Sequence, residues 1–146
     1  MAGKTSRRKE RQFAFQVLYS INFADTVSPN HVDTTFDHFL TTDCEDGQEA
    51  AMPFARTLVQ GVMEHLDELD ATIARFSKHW KLSRIAQVEL TILRLGVFEM
   101  SYVPDVPVRV AINEAIELSK EFGDDNSRNF INGILDGVGK ELTESS

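Results

Sequence analysis

The chain has 146 residues, of which 42% are hydrophobic and 26% charged, a balance typical of a globular protein and not of a disordered one. We treat 1–146 as a single domain, because this length can bury a core without disulfides or a structural metal. The lone cysteine, Cys44, excludes an intramolecular disulfide, and no apolar run approaches membrane-spanning length. We therefore expect a cytoplasmic protein that does not enter a membrane.

Charge is distributed unevenly along the sequence. The net charge is −8, but residues 1–20 hold five basic residues against one acidic residue and so carry +4, which leaves −12 for the rest. Between Arg11 and Arg56 there is no Lys or Arg. Because salt screens a charge beyond about 8 Å, a local basic patch can bind phosphates on an acidic protein. The pattern predicts a basic arm over 1–11 that binds phosphates and an acidic body that suits a basic protein partner.

Apolar residues recur at helical spacing along nearly the whole chain, and no segment indicates paired strands or a repeat. The first helix is expected over 6–23, with Thr5 or Ser6 as its N-cap. The most turn-like stretch is 41–48. Further helices are predicted over 32–40, 49–66, 67–76 and 84–102. We expect Ser83 to cap the last of these, and its several apolar faces predict a central position.

Proline and glycine divide the C-terminal part of the chain. Pro104 and Pro107 end the central helix, and Pro107 suits the first turn of a helix over 108–122, where its missing N–H is not needed. Gly123 is expected to stop that helix, and the polar residues 124–127 offer N-caps for a last helix ending near Leu142. The prediction is an all-α protein of about seven helices.

No catalytic or metal-binding pattern is found in the sequence. The four histidines are scattered, and Gly139-Lys140 lacks both the upstream glycine and the following Ser or Thr of a phosphate-binding loop. We expect no reaction, no cofactor and no metal.

The first helix carries a strip of side chains suited to RNA. At about 100° per residue, Arg8, Gln12, Phe15 and Tyr19 fall within about 60° of one another. Arginine neutralises phosphates, Gln and Tyr add directional hydrogen bonds, and an aromatic face can stack on an unpaired base. The alternative is a solvated N-terminal tail whose charges only aid solubility, with Phe15 and Tyr19 packing against a neighbouring helix.

The last helix offers a second surface. Phe130 lies near the edge of its apolar stripe and either covers the core or protrudes. Gly133 and Gly137 lie opposite the stripe, where Ala would be the better helix former. Their presence suggests that another helix, a second subunit or RNA approaches the backbone there.

Three stretches carry a resemblance to a known family. They are RRKERQFAFQVLYS at 7–20, PDVPVRVAINEAIEL at 104–118 and FINGILD at 130–136, and the helix with Glu89, Arg94 and Glu99 fits as well. Together they resemble the NusB family of bacterial transcription antitermination factors. The resemblance covers nearly the whole chain except the acidic segment 24–50.

The resemblance implies two packed helical bundles and a role in processive transcription of ribosomal RNA operons. It also implies binding of boxA-type single-stranded RNA together with the ribosomal protein NusE, and an indirect link to other antitermination factors and RNA polymerase. The residues that would bind RNA are Arg7, Arg8, Lys9, Arg11, Gln12, Gln16, Arg128, Asn129, Phe130 and Asn132. The residues that would face NusE are Tyr19, Glu89, Asp124, Asp125 and Asn126.

Two positions depart from the family pattern, and rival functions stay open. Asn126 replaces a common Asp, which alters a charged contact to NusE, and Asn129 replaces a common Lys, which removes a phosphate contact. The same fold begins some RNA-modifying methyltransferases, but that catalytic role would require an additional methyl-donor domain, so we do not expect it. A homodimer and a module that binds only proteins are two further possibilities.

Overall fold

The structure is a computed structural model that describes residues 6–22, 36, 52–77 and 81–144. Over these residues the chain is helical and contains no strand, so the all-α prediction is confirmed. The described part of the chain contains six α-helices, one fewer than the seven predicted. The helix predicted over 32–40 lies outside the described residues except for Phe36, and the turn predicted at 41–48 lies outside them entirely. The six α-helices are α1 (Arg7–Asn22), α2 (Pro53–Glu64), α3 (Leu66–Phe76), α4 (Gln87–Tyr102), α5 (Val108–Phe122) and α6 (Asp125–Glu144).

The chain divides into two compact units, Met1–Gly61 and Val62–Ser146. In the first unit, α1 begins where the Ser6 hydroxyl accepts a hydrogen bond from the Lys9 backbone N–H at 3.1 Å, which confirms Ser6 as the N-cap. The predicted apolar stripe of α1 is buried, and Phe13 packs edge-on against Phe36 with 5.2 Å between ring centroids. The buried apolar residues of α1 and α2 in this unit are Phe13, Ala14, Phe15, Val17, Leu18, Ile21, Ala55, Leu58 and Val59.

Helix α2 begins later than the sequence predicted. Met52 has a φ of 37°, outside the right-handed helical region, and Pro53 takes the first helical position. A residue that precedes proline is disfavoured in helical conformation, so the helix predicted from residue 49 cannot run through Met52. At the other end His65 separates α2 from α3, so the segment after residue 66 is a helix of its own.

In the second unit α4 is the central helix, as predicted. Every residue from 90 to 99 is buried except Arg94, and α4 packs against α3, α5 and α6. Gly96 permits a close approach, because a Cβ there would lie 2.9 Å from a Leu135 methyl of α6. The Arg94 guanidinium joins α4 to α3 by two hydrogen bonds to the Asp70 carboxylate, at 2.8 and 2.9 Å.

The expected cap of α4 is wrong. Ser83 lies in a short 3-10 helix, Leu82–Arg84, and Ile85 and Ala86 are extended, so α4 starts at Gln87 with Ala86 at the N-cap position. Ile85 is buried, and this extended linker brings its side chain into the core. By contrast α5 keeps its predicted bounds, with Pro107 at the N-cap and Gly123 at the C-cap. A Cβ on Gly123 would lie 3.1 Å from the Ser119 carbonyl oxygen, so the position favours glycine through close contact.

Buried polar groups are well satisfied in the part of the chain that the structure describes. There, no buried side-chain nitrogen or oxygen lacks a hydrogen-bond partner. Over the same residues no three or more His, Cys, Asp or Glu side chains cluster as metal ligands would. None of the described helices is long and apolar enough to cross a membrane.

Candidate nucleic-acid interface

Four of the predicted RNA-binding side chains lie on one solvent-facing side of α1. Arg8, Lys9 and Gln16 are exposed, and Gln12 is half-buried. At about 100° per residue they span roughly 100° of the helix surface, away from the apolar stripe. This face therefore presents two cations and two amides, which can neutralise phosphates and donate directional hydrogen bonds.

Arg7 and Arg11 belong to a different side of the same helix. Both continue the line of the apolar stripe toward the N-terminus, and Arg11 is only 4% exposed whereas Arg7 is exposed. The Cζ atoms of Arg7 and Arg11 lie 4.4 and 5.3 Å from the centroid of the Phe54 ring of α2. A cation at this distance from an aromatic face is attracted by the ring quadrupole. The basic residues 7–11 are therefore part of a folded helix, and two of them are held by tertiary contacts.

Glu10 is a structural residue that the sequence analysis missed. Its side chain is 6% exposed, and its Oε1 accepts hydrogen bonds from the backbone N–H groups of Phe54 at 3.0 Å and Ala55 at 3.1 Å. These N–H groups belong to the first turn of α2 and have no partner within their own helix, so Glu10 caps α2 from α1. The available signal was periodicity, since Glu10 lies three and seven residues before Phe13 and Val17 on the inward side.

The two aromatic residues of the predicted strip pack on each other. Phe15 is 3% exposed, and its ring stacks on Tyr19 with 5.6 Å between centroids and 14° between planes. Tyr19 is half-buried. Phe15 therefore belongs to the core, and Tyr19 remains partly accessible.

The start of α6 holds the predicted acidic turn. The Asp124 carboxylate accepts a hydrogen bond from the Ser127 backbone N–H at 2.8 Å, which makes Asp124 the N-cap of the helix. Hydrogen bonds from Ser127 hold the pKa of Asp124 below its usual range. Asp125 and Asn126 are exposed, and Asp125 pairs with Arg128 at 3.2 Å, so a residue expected to face NusE is bonded to one expected to face RNA.

The remaining residues of the predicted α6 surface are accessible. Phe130 is half-buried, whereas Asn129 and Asn132 are exposed. The two helix glycines differ: a Cβ on Gly137 would lie 2.7 Å from the Phe76 ring, whereas a Cβ on Gly133 would meet no described atom within 4 Å beyond its own helix backbone. The predicted close approach is therefore confirmed at Gly137, where the neighbour is α3, whereas at Gly133 none of the described residues provides one.

The last predicted partner residue lies on another helix. Glu89 is in the first turn of α4 and is half-buried, where a carboxylate interacts favourably with the helix dipole. The structure thus brings together Arg7 with Arg11 and Asp125 with Arg128. All candidate residues of both groups lie on α1, α4, α6 or the residue that caps α6.

These features define a helical binding protein that presents charged side chains at the starts of its helices. The sequence matches the NusB family over residues 8–140, so the chain belongs to the NusB family. The transcription antitermination protein NusB of Oleidesulfovibrio alaskensis is 47% identical over 138 residues, which cover 94% of this chain and 90% of that protein. The family is one of non-catalytic transcription antitermination factors, and this chain is accordingly not an enzyme.

Solved structures support the same assignment. The NusB of T. maritima superposes with a TM-score of 0.82 at 32% identity, and the match covers 95% of this chain and 94% of that one. A chain from the crystal structure of antitermination factors NusB and NusE in complex with dsRNA gives a TM-score of 0.77 at 26% identity, covering 92% and 96%. The fold of the described helices is therefore that of NusB.

Proposed function

We propose that this chain binds boxA-type single-stranded RNA together with the ribosomal protein NusE, and thereby supports processive transcription of ribosomal RNA operons. The observation that carries the proposal is the solvent-facing side of α1, where Arg8, Lys9 and Gln16 are exposed and Gln12 is half-buried, in a chain that is otherwise acidic. The relative with a NusB–NusE–dsRNA structure supports both kinds of partner. Its RNA is double-stranded, so the strandedness of the ligand is part of what must be tested.

In this proposal α1 and α6 contact different parts of the RNA. The exposed Arg7, Arg8 and Lys9 neutralise phosphates directly, the buried Arg11 adds its positive charge from beneath them, and Gln12 and Gln16 add hydrogen bonds. On α6, the half-buried Phe130 stacks on a base, and Arg128, Asn129 and Asn132 contribute polar contacts. The exposed amide of Asn129 carries no charge, so RNA affinity depends more on α1.

The partner surface is proposed to recognise a basic protein. Tyr19, Glu89, Asp124, Asp125 and Asn126 would contact NusE, and the exposed carboxylates of Asp124 and Asp125 give this surface its charge. We further propose that the two units act as one domain of two helical bundles in the cytoplasm. RNA polymerase and other antitermination factors would be reached only through this RNA–NusE assembly.

The first experiment is fluorescence anisotropy of a labelled boxA-type RNA titrated with the protein, with and without NusE. A scrambled single strand and a duplex of the same sequence serve as comparisons. Selective binding of the boxA strand that tightens with NusE is the expected result. Equal, weak and salt-sensitive binding to all three RNAs would contradict the proposal and favour a module that binds only proteins.

The role of the α1 face is tested by the Arg8→Ala/Lys9→Ala variant. We expect weaker RNA binding and a salt dependence whose logarithmic slope falls by about 0.7 for each phosphate that the variant no longer neutralises. The matched control is Lys81→Ala/Lys120→Ala, which removes two exposed cations from outside the proposed site. An unchanged slope in the first variant, or an equal change in both, would show that the α1 face does not bind phosphate.

A dimer is the remaining alternative. Light scattering over a range of concentrations, with and without RNA, separates it from the proposal. A dimer that dissociates when RNA is added would indicate that the RNA-binding surface is covered in the free protein.

A further inference from the structure

The Phe54 ring connects two basic residues of α1 to a second helix. Arg7 is exposed and Phe54 is half-buried, with 4.4 Å between the Arg7 Cζ and the ring centroid. Arg11, one turn further along, is buried, with its Cζ 5.3 Å from the same ring. One aromatic side chain of α2 is therefore shared by two guanidinium groups whose positions are four residues apart on α1.

Glu10 fixes the place of that ring relative to α1. Its carboxylate lies between the two arginines in sequence and accepts the N–H groups of Phe54 and Ala55 at 3.0 and 3.1 Å. Because the Phe54 backbone is one of the two bonded groups, the start of α2 cannot slide along α1 without breaking these bonds. The bonds to Glu10 and the cation–ring contacts with Phe54 thus form one connected arrangement of Arg7, Glu10, Arg11 and Phe54.

We propose that Phe54 is a positioning residue for RNA binding, which holds the exposed Arg7 guanidinium in place at the start of α1, beside the buried Arg11. The inference rests on the proposed function, because it assumes that the basic residues of α1 contact RNA. Stacking on a ring uses the flat face of a guanidinium, whereas hydrogen bonds to phosphate use its edge. A guanidinium held against Phe54 can therefore bind phosphate without first losing the freedom of a long side chain.

The inference requires an aromatic ring at position 54, and not merely an apolar side chain of similar size. Phe54→Leu keeps an apolar side chain but removes the aromatic face, so we expect RNA binding about 3- to 10-fold weaker with NusE present. Phe54→Tyr keeps the face and should bind within about 2-fold of the unchanged protein. The ligand is the labelled boxA-type RNA, and each variant is first checked for helix content by circular dichroism. If Phe54→Leu does not fold, Phe54→Met provides a second non-aromatic side chain.

The chain offers a matched control for the loss of an arginine–aromatic pair. The Arg75 Cζ lies 5.3 Å from the centroid of the half-buried Phe76 ring, in a part of the chain to which we assign no ligand. Phe76→Leu should therefore leave RNA affinity unchanged. A similar loss of RNA affinity in Phe76→Leu and Phe54→Leu would overturn the inference, because the effect would then reflect general loosening of the fold.

A double-mutant cycle separates a positioning role from a structural one. If Phe54 acts through Arg7, then Phe54→Leu should weaken RNA binding much less in an Arg7→Ala background than in the unchanged protein. Additive losses would overturn the positioning role of Phe54. Full RNA affinity of Phe54→Leu, together with weaker binding by Arg7→Ala, would also overturn the positioning role. In both cases the proposed function of the chain would still stand. If neither Arg7→Ala nor Arg8→Ala changes RNA binding, it is the proposed phosphate contact of α1 that fails.

Discussion

The starts of α1 and α6 both present candidate RNA-binding side chains, but they are held in different ways. At residues 6–11, Arg7 and Arg11 lie over a ring from α2, and the buried Glu10 bonds to the α2 backbone. At the start of α6 the bonds join near neighbours in sequence: Asp124 caps its own helix and Asp125 pairs with Arg128 three residues on. The first site depends on tertiary structure, whereas the second follows from forming the helix.

This difference has a consequence for substitutions. A change at Arg7, Glu10 or Arg11 affects both the fold and the neighbouring binding side chains, because these three residues contact α2. At the α6 start an exposed side chain such as Asn129 or Asn132 can change with little effect on folding. Effects on stability and on RNA affinity should therefore be linked at α1 and separable at α6.

The largest effect on stability is expected for Glu10→Ala. The variant leaves two N–H groups at the start of α2 without their acceptor in a buried position, so the free energy of unfolding should fall by about 2–3 kcal/mol. Urea unfolding followed by circular dichroism measures it, with Glu121→Ala on the exposed side of α5 as the control. Equal stability of the two variants would mean that α2 does not depend on α1 for its cap.

Phe130→Ala tests the candidate RNA-binding surface at the start of α6. If this half-buried ring stacks on a base, its removal should weaken RNA binding by about 1–3 kcal/mol, and stability should change less than in Glu10→Ala. Anisotropy with the boxA-type RNA and NusE provides the affinity. Loss of stability with unchanged affinity would place Phe130 in the core and remove it from the proposed site.

The two glycines of α6 allow a paired test within a single helix. Gly137→Ala forces a methyl group to within 2.7 Å of the Phe76 ring and should destabilise the protein by about 1 kcal/mol or more. Gly133→Ala places its methyl group where no described atom lies within 4 Å and should stabilise the protein by up to about 1 kcal/mol, because Ala is the better helix former. If Gly133→Ala also weakens RNA or NusE binding, a ligand approaches the backbone there. Thermal unfolding of both variants at one protein concentration gives the comparison.

The smallest effect concerns the local cap of α6. The hydrogen bonds from Ser127 lower the pKa of Asp124 from its ordinary 3.8, so the ionised carboxylate stabilises the folded state above that pH. This stabilisation is lost as pH falls through the lower pKa of the folded protein. Asp124→Asn keeps a capping side chain that does not titrate, so the stability difference from the unchanged protein should shrink between about pH 7 and pH 3.

Urea unfolding at the two pH values measures this difference. Asp136→Asn, which changes an exposed carboxylate later in α6, serves as the control. A difference that stays constant with pH in Asp124→Asn would exclude titration of the Asp124 cap as its source.

Much of the helical framework could be predicted because it depends on local physical rules. Helical periodicity located α1 and α4, Pro107 and Gly123 marked both ends of α5, and the polar turn before α6 supplied its N-cap. Two helix starts were misplaced. Pro53 follows a residue with a positive φ, and the buried Ile85 lies in an extended linker where a helix was expected.

The all-helical class, the charge contrast between the basic helix start and the acidic remainder, and the family motifs could all be read from the amino-acid sequence. The burial of Glu10 and Arg11 became known from the three-dimensional structure, as did the contact of Arg7 with Phe54, which is 47 positions away along the sequence. Spacing along a helix fixes which side a residue faces, because the helix geometry is constant. It does not specify which other helix covers that side, since that depends on contacts between distant parts of the chain.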